Sequence, residues 1–221
     1  MNKTYEKIKN VLSFGSTKDK TITYTKEFEF LKRLKYYATE KLDGTNIRLY
    51  YDGYNTTIHG RTEKSELPKG FLEKFNKLYD LDIINSKMEE LFGDKEVVIY
   101  GEGIGEKIQA DGEKYVKDGI DFVVFDILVN DVFLDRENVE KITENLGLKI
   151  VDVVIEGDLE EIINFVKEEQ KSIYNSNHIM EGVVAKPLIP LYFKDETRVC
   201  FKIKYLDFLK LKKQEREVQD E

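Results

Sequence analysis

Asp52-Gly53 lies between two strand-like runs, Ile47 to Tyr51 and Tyr54 to His59. An Asp-Gly pair so flanked is the strongest short hairpin signal, and a two-residue connection commits its strands to antiparallel pairing. Further strand-like runs occur at Tyr36 to Lys41, Glu96 to Tyr100, Phe122 to Val129, Lys149 to Ile155, Gly182 to Lys186 and Val199 to Lys204. Phe122 to Val129 is too continuously apolar to be half exposed, and Asn130-Asp131 after it marks a turn. Pro68 to Phe92 has apolar residues at helical spacing (Phe71, Phe75, Leu78, Met88, Leu91), with Gly93 as the stop. Helices are also expected at Met1 to Asn10, Arg136 to Leu146 and Leu159 to Ile173, and a lysine-rich one at the chain end. Irregular alternation with early hairpins favours an α+β fold, antiparallel sheets flanked by helices, over a doubly wound one. With no repeat, low-complexity tract or linker, residues 1–221 read as one domain without a separate C-terminal domain.

Apolar residues make up 41% of the chain, enough for a sizeable core. No run approaches the roughly 18 apolar residues of a membrane span, and the N-terminus lacks a signal peptide's apolar region, so a cytoplasmic location is expected and no membrane partner. Cys200 is the single cysteine, which excludes an internal disulfide. His59 and His178 lack a second His or Cys at ligand spacing, which argues against zinc. The net charge of −8, from 35 Lys+Arg against 43 Asp+Glu, is unlike a surface that grips nucleic acid everywhere. Any phosphate contact must be focused in one cleft. The charge is uneven: Glu156 to Glu169 is acidic and apolar, whereas Lys202, Lys204, Lys210, Lys212 and Lys213 crowd the end.

Five segments can carry chemistry. Glu40-Lys41-Leu42-Asp43-Gly44-Thr45-Asn46 closes one strand and opens another, which places Lys41 at a strand end. Alone, this segment reads equally well as a surface turn with a solvated lysine. Val97 to Gly103 sets Glu102 between glycines directly after a strand. Phe122 to Ile127 is an aromatic-bearing strand in which Phe125, by spacing alone, belongs to the core and Asp126 is a structural hydrogen-bonding group. Glu181 to Pro187 puts Glu181 and Lys186 at either end of a short strand. Val199 to Lys204 puts Lys202 and Lys204 on one face, because their spacing of two matches the pleat. Gly101, Gly103 and Gly105 fail dinucleotide-loop spacing and read as a turn. Lys210, Lys212 and Lys213 read as a solvated helix face, and Glu106, Lys107 and the acidic helix near Glu160 as surface. Glu40 either helps to position a metal or is exposed.

In this order the five segments resemble the nucleotidyltransferase motifs of the covalent ligase and capping-enzyme superfamily. Gly44-Thr45-Asn46, Gly60-Arg61-Thr62, Ile108-Gln109 and Glu181 to Pro187 look most like the phage RNA ligase 2 family. DNA ligases and capping guanylyltransferases, the alternatives within the superfamily, typically have arginine where Asn46 stands. RNA ligase 2 proteins often carry histidine where Asp43 stands, so Asp43 follows the broader superfamily pattern. A catalytically inactive nucleotide-binding module would be expected to lack some motif residues, yet Lys41, Glu102, Glu181, Lys186, Lys202 and Lys204 are all present.

The resemblance implies an ATP-grasp-like ligase adenylylation domain using ATP with Mg2+ or Mn2+. It implies that Lys41 forms lysyl-AMP, that AMP passes to an RNA 5′-phosphate, and that a 3′-hydroxyl then displaces it. Lys202 and Lys204 would serve the triphosphate, Asn46 the sealing step, Glu102 the ribose and Phe125 the adenine. Arg61 would reach the ribose or the RNA phosphate, Lys186 and Asp43 would bind nucleotide, and Glu181 would face the metal. RNA ends, nicked or duplexed, are the implied substrate, as in RNA repair. The acidic charge leaves room for a protein partner that supplies RNA affinity.

Overall fold

The computed structural model describes residues 3–14, 22–109 and 114–209. Within the span read as one domain, contacts gather into two compact units, Met1–Glu6 with Leu42–Val151 and Lys7–Lys41 with Asp152–Glu221. Elements are numbered in chain order: β1 Lys9–Asn10, β2 Leu12–Phe14, β3 Ile22–Tyr24, β4 Tyr36–Glu40, β5 Thr45–Tyr51, β6 Thr56–Gly60, α1 Phe71–Tyr79, α2 Leu81–Phe92, β7 Val97–Gly105, β8 Ile120–Val129, β9 Val132–Phe133, α3 Arg136–Leu146, β10 Lys149–Ile150, β11 Val153–Gly157, α4 Leu159–Lys167, β12 Gly182–Pro187 and β13 Phe201–Lys204. The fold is α+β with mainly antiparallel sheets, as expected. Among the described residues only the edge pairs β1–β13 and β10–β8 are parallel.

In the first unit the sheet runs β10-β8-β7-β5-β6, with β9 on β8. The expected hairpin joins β5 to β6, but through four residues, 52–55, and not two, since Tyr51 pairs with Thr56; Asp52 Oδ1 accepts from the Tyr54 and Asn55 N–H groups at 2.9 and 2.7 Å. Asn130 and Asp131 both take positive φ and turn β8 into β9, as read from sequence. One face of this sheet is apolar. Ile47, Leu49 and Tyr51 of β5, Val97 and Ile99 of β7, and Phe122, Val124 and Ile127 of β8 pack with Phe71, Phe75, Ile84, Met88 and Val139 of α1, α2 and α3.

Three further features here differ from the sequence expectation. The helix expected over Pro68 to Phe92 is two helices, because Asp80 (φ 55°) breaks it and caps α2, its carboxylate accepting from the Asp82 and Ile83 N–H groups. Gly101, Gly103 and Gly105 form no turn; they lie within β7. They are small because the core approaches closely: a Cβ at Gly103 would lie 2.9 Å from Phe71 Cε2, and one at Gly101 would overlap the Phe122 ring. Finally, residues 3–8 form no helix, and Lys9–Asn10 is a strand beside β13.

In the second unit the sheet runs β1-β13-β12-β4-β11, and β2 and β3 form a separate pair. Tyr36, Ala38, Val183, Ala185, Phe201 and Ile203 face a core closed by α4 through Leu159, Ile162, Ile163 and Val166. Asp158 starts α4 with a reciprocal capping box to Glu161. The helix ends at Lys167, short of the expected Ile173, and Glu169 takes φ 58° just beyond. The strand expected over Lys149 to Ile155 is two strands, β10 in the first unit and β11 in the second, because the chain passes between units at Val151–Asp152. Residues 205–209 are helical; the lysine-rich part of the expected terminal helix, with Lys210, Lys212 and Lys213, lies outside the described residues.

Gly101→Ala should lower the unfolding free energy by about 1–3 kcal/mol through overpacking against Phe122. A urea melt measures this, and an unchanged midpoint would mean that the strand has room for a side chain there.

Candidate active site

In the second unit, β12 pairs with both β4 and β13, and the register decides which side chains share a face. Val183 lies opposite Glu40 and Ile203 on the core side. Val184 lies opposite Thr39 and Lys202, and Lys186 opposite Tyr37, on the other side. Alternation therefore gives Lys202, Lys204 and Lys186 one common face, away from the apolar core. The sequence expectation of a shared face for Lys202 and Lys204 agrees with this register. Lys186 is only 3% exposed.

Lys41 follows β4, and its N–H donates to the Gly182 carbonyl at 2.9 Å, which holds the backbone in the sheet. Its Nζ donates to Glu181 Oε2 at 2.7 Å, and Lys204 Nζ lies 2.6 Å from Oε1 of the same carboxylate. One carboxylate thus gathers two ammonium groups. Burial first, then the charges of Lys204, Lys41 and Lys7, hold the Lys202 amine below its ordinary value. Lys7 was not singled out in the sequence; only the parallel pairing of β1 with β13 brings it near Lys202.

Glu40 is 2% exposed, so it is not a surface residue. It projects to the core side, opposite to Lys41, and its Oε2 accepts from the Ile173 N–H at 2.9 Å. Burial pushes its carboxyl above the ordinary value, against opposing hydrogen bonds from Ser172 and Ile173.

In the first unit, Asn46 and Glu102 lie on the sheet face away from the core, and Asp43 and Arg61 lie in the segments that precede β5 and follow β6. Asn46 of β5 lies directly opposite Glu102 of β7, and Arg48 opposite Tyr100. Asn46 Oδ1 is buried with no hydrogen-bond partner among the described residues, an arrangement that suits an incoming donor. Arg48 is buried, its Nε donates to the Gly60 carbonyl at 2.8 Å, and burial lowers the guanidinium below its ordinary value. Arg48 was missed, although its place two residues after Asn46 signals a shared face. The Asp43 N–H donates to Tyr115 Oη at 3.1 Å. Arg61 is exposed in the turn after β6, where the Ser65 N–H donates to the Thr62 carbonyl at 3.1 Å.

Phe125 departs from the sequence expectation. Tyr100 pairs with Asp126 and Gly101 with Val124, so Phe125 is the extra residue of a β-bulge in β8. Alternation from Phe122 and Val124 already turns Phe125 away from the core, and the bulge explains why Ile127 after it returns to the core side. Phe125 is half-buried, its ring edge-on to Tyr5 with centroids 5.0 Å apart. Asp126 is the structural hydrogen-bonding group expected, accepting from Tyr5 Oη at 2.6 Å.

No group of three or more His, Cys, Asp or Glu residues fit to hold a metal exists among the described residues. A single carboxylate such as Glu181 suits Mg2+ or Mn2+ only as an ion that keeps waters and shares its ligation with substrate phosphates. The donor set fits a metal of that kind and not a dedicated all-protein cage.

The Lys202 amine should titrate below an ordinary lysine, and Lys204→Met should raise it by removing the like charge that lowers it most. NMR of 13C-methylated lysines reads both; an unmoved Lys202 signal in the variant would refute the coupling.

A family profile described as RNA ligase matches residues 34–204. Comparison with curated proteins finds no match. Among solved structures, a Naegleria gruberi RNA ligase variant with ATP and manganese is 23% identical with a TM-score of 0.64, covering 85% of this chain and 55% of that one. A variant with AMP and manganese is 23% identical with a TM-score of 0.64, covering 83% and 53%. A third variant, with ATP and manganese, is 22% identical with a TM-score of 0.65, covering 93% and 61%. The chain therefore spans little more than half the length of these neighbours, and at this identity the likeness carries the fold. The profile match spans more than half of the chain and takes in every site residue read from the sequence, from Lys41 to Lys204: the chain belongs to the RNA ligase family.

Proposed function

We propose that this chain is an ATP-dependent RNA ligase that joins 5′-phosphate to 3′-hydroxyl ends through a lysyl-AMP at Lys41. The reading rests on one observation above the others. Lys41 and Lys204 share the Glu181 carboxylate on the sheet face that also carries Lys202 and Lys186. A strand-end lysine among fixed cations suits attack on a phosphate. An isolated surface turn would not gather them.

In the first step the Lys41 amine attacks the α-phosphorus of ATP, a nitrogen–phosphorus bond forms, the α–β bridging bond breaks, and pyrophosphate leaves. The amine must shed its proton and its bond to Glu181 before it attacks. Lys202 and Lys204 help by binding the triphosphate and stabilising the charge that develops on the departing pyrophosphate. Mg2+ or Mn2+ entering with the triphosphate would be held by Glu181 and supply further positive charge there. Phe125 offers a flat face to adenine, Glu102 accepts from ribose hydroxyls, and Lys186, Asp43 and Arg61 complete nucleotide contact. AMP then passes to a 5′-phosphate, and the 3′-hydroxyl displaces it, with the unpartnered Asn46 Oδ1 as an acceptor for that step. The net charge of −8 is consistent with RNA affinity supplied by a partner protein or by a pre-paired nick.

Lys41→Ala should abolish covalent labelling by ATP on a denaturing gel while leaving the melt unchanged; persistent labelling would overturn the nucleophile. Lys204→Ala should slow labelling by about a hundredfold or more, the scale of one lost transition-state contact, and arginine should rescue it in part. With pre-adenylylated 5′ ends supplied, Asn46→Ala should lose sealing to ribose 3′ ends yet keep labelling at Lys41. Equal sealing of deoxyribose and ribose ends by the unaltered chain would refute the RNA assignment.

A further inference from the structure

Residues 3–6 belong to the same unit as Phe125 and run without helix. Lys3 is buried, paired with Glu96 at 2.8 Å and with Asp131, and Tyr100 Oη donates to its carbonyl at 3.0 Å. This anchoring delivers Tyr5, 8% exposed, to the sheet face that carries Phe125. The Tyr5 ring stands edge-on to Phe125, centroids 5.0 Å apart at 73°, and lies 5.0 Å from Tyr100 at 59°. Its hydroxyl donates to Asp126 Oδ2 at 2.6 Å. A single side chain thus holds two consecutive residues, the ring of one and the carboxylate of the next.

This grip matters because of the bulge. Phe125 is the extra residue of the bulge and shares the place opposite Tyr100 with Asp126, so the ring and the hydroxyl of Tyr5 meet both side chains of the bulge at once. We propose that Tyr5 is a positioning residue for the nucleotide: its ring and hydroxyl together hold the bulged Phe125 in the orientation that stacks on adenine. The proposal rests on the reading of Phe125 as the stacking side chain. An edge-to-face ring contact biases a rotamer by about two- to tenfold, so its loss should appear in nucleotide affinity and not in the chemical step.

The test is a double-mutant cycle on the full chain, following covalent AMP labelling against ATP concentration for Tyr5→Leu, Phe125→Leu and the pair. Tyr5→Leu should raise KM for ATP by about fivefold, within the range set by that rotamer bias, and leave the maximal rate within about twofold. In the Phe125→Leu background the same change should have no further effect. If Phe125→Leu raises KM but Tyr5→Leu does not, or the two effects multiply independently, the role of Tyr5 is refuted and that of Phe125 stands. If Phe125→Leu leaves KM unchanged, both fall. Should Tyr5→Leu fail to fold, Tyr5→Phe decides by the same cycle: loss of the bond to Asp126 should raise KM about two- to threefold, as for one modest hydrogen bond, and an unchanged KM refutes the proposal.

Discussion

The carboxylate of Glu181 is the interaction on which the second unit's charged face depends. Its two oxygens each hold one ammonium, Lys41 and Lys204, on either side of β12. Without a shared anion, cations this close would repel, and the sheet face would carry that repulsion unrelieved. The arrangement is conditional by nature. A carboxylate that satisfies two lysines at rest must release at least one of them when a more highly charged group arrives. Moderate exposure of all three side chains keeps the exchange inexpensive, because surface ion pairs are worth little.

Both units solve the same geometric problem. Each sheet has one face committed to an apolar core, and alternation puts Asn46 and Glu102 in one unit and Lys186, Lys202 and Lys204 in the other on the opposite face. In the first unit the glycines flanking Glu102 let the core helix and the Phe122 ring come close to β7 beneath the carboxylate. The glycines that resemble a phosphate loop in the sequence therefore serve packing. In the second unit Glu40 and Lys41 divide the same way, one to the core side and its neighbour to the charged side.

Period-two patterning made much of this legible. The hairpin at Asp52-Gly53, the lysine pair at 202 and 204 and the buried run of β8 are local features, and the structure keeps them. What the sequence hid is non-local. Phe125 reads as core because its whole run is apolar, and the bulge that brings Ile127 back to the core side leaves no mark in that run. Residues 3–8 read as a helix because their contacts, Lys3 with Glu96 and Tyr5 with Asp126, lie about a hundred positions away. Asp80 breaks a helix that periodicity would continue, its side chain capping the second half.

The opposed directions of Glu40 and Lys41 also bear on how the sheet finds its alignment. A shift of β4 by one residue against β12 would turn every side chain to the wrong face. Lys41 would then point into the cluster of Tyr36, Val183 and Phe201, and a bare ammonium there would cost far more than the slipped pairing could return. The charged face thus adds its own penalty to every frame-shifted pairing of this sheet. It follows that insertions or deletions within β4 should be tolerated only in pairs.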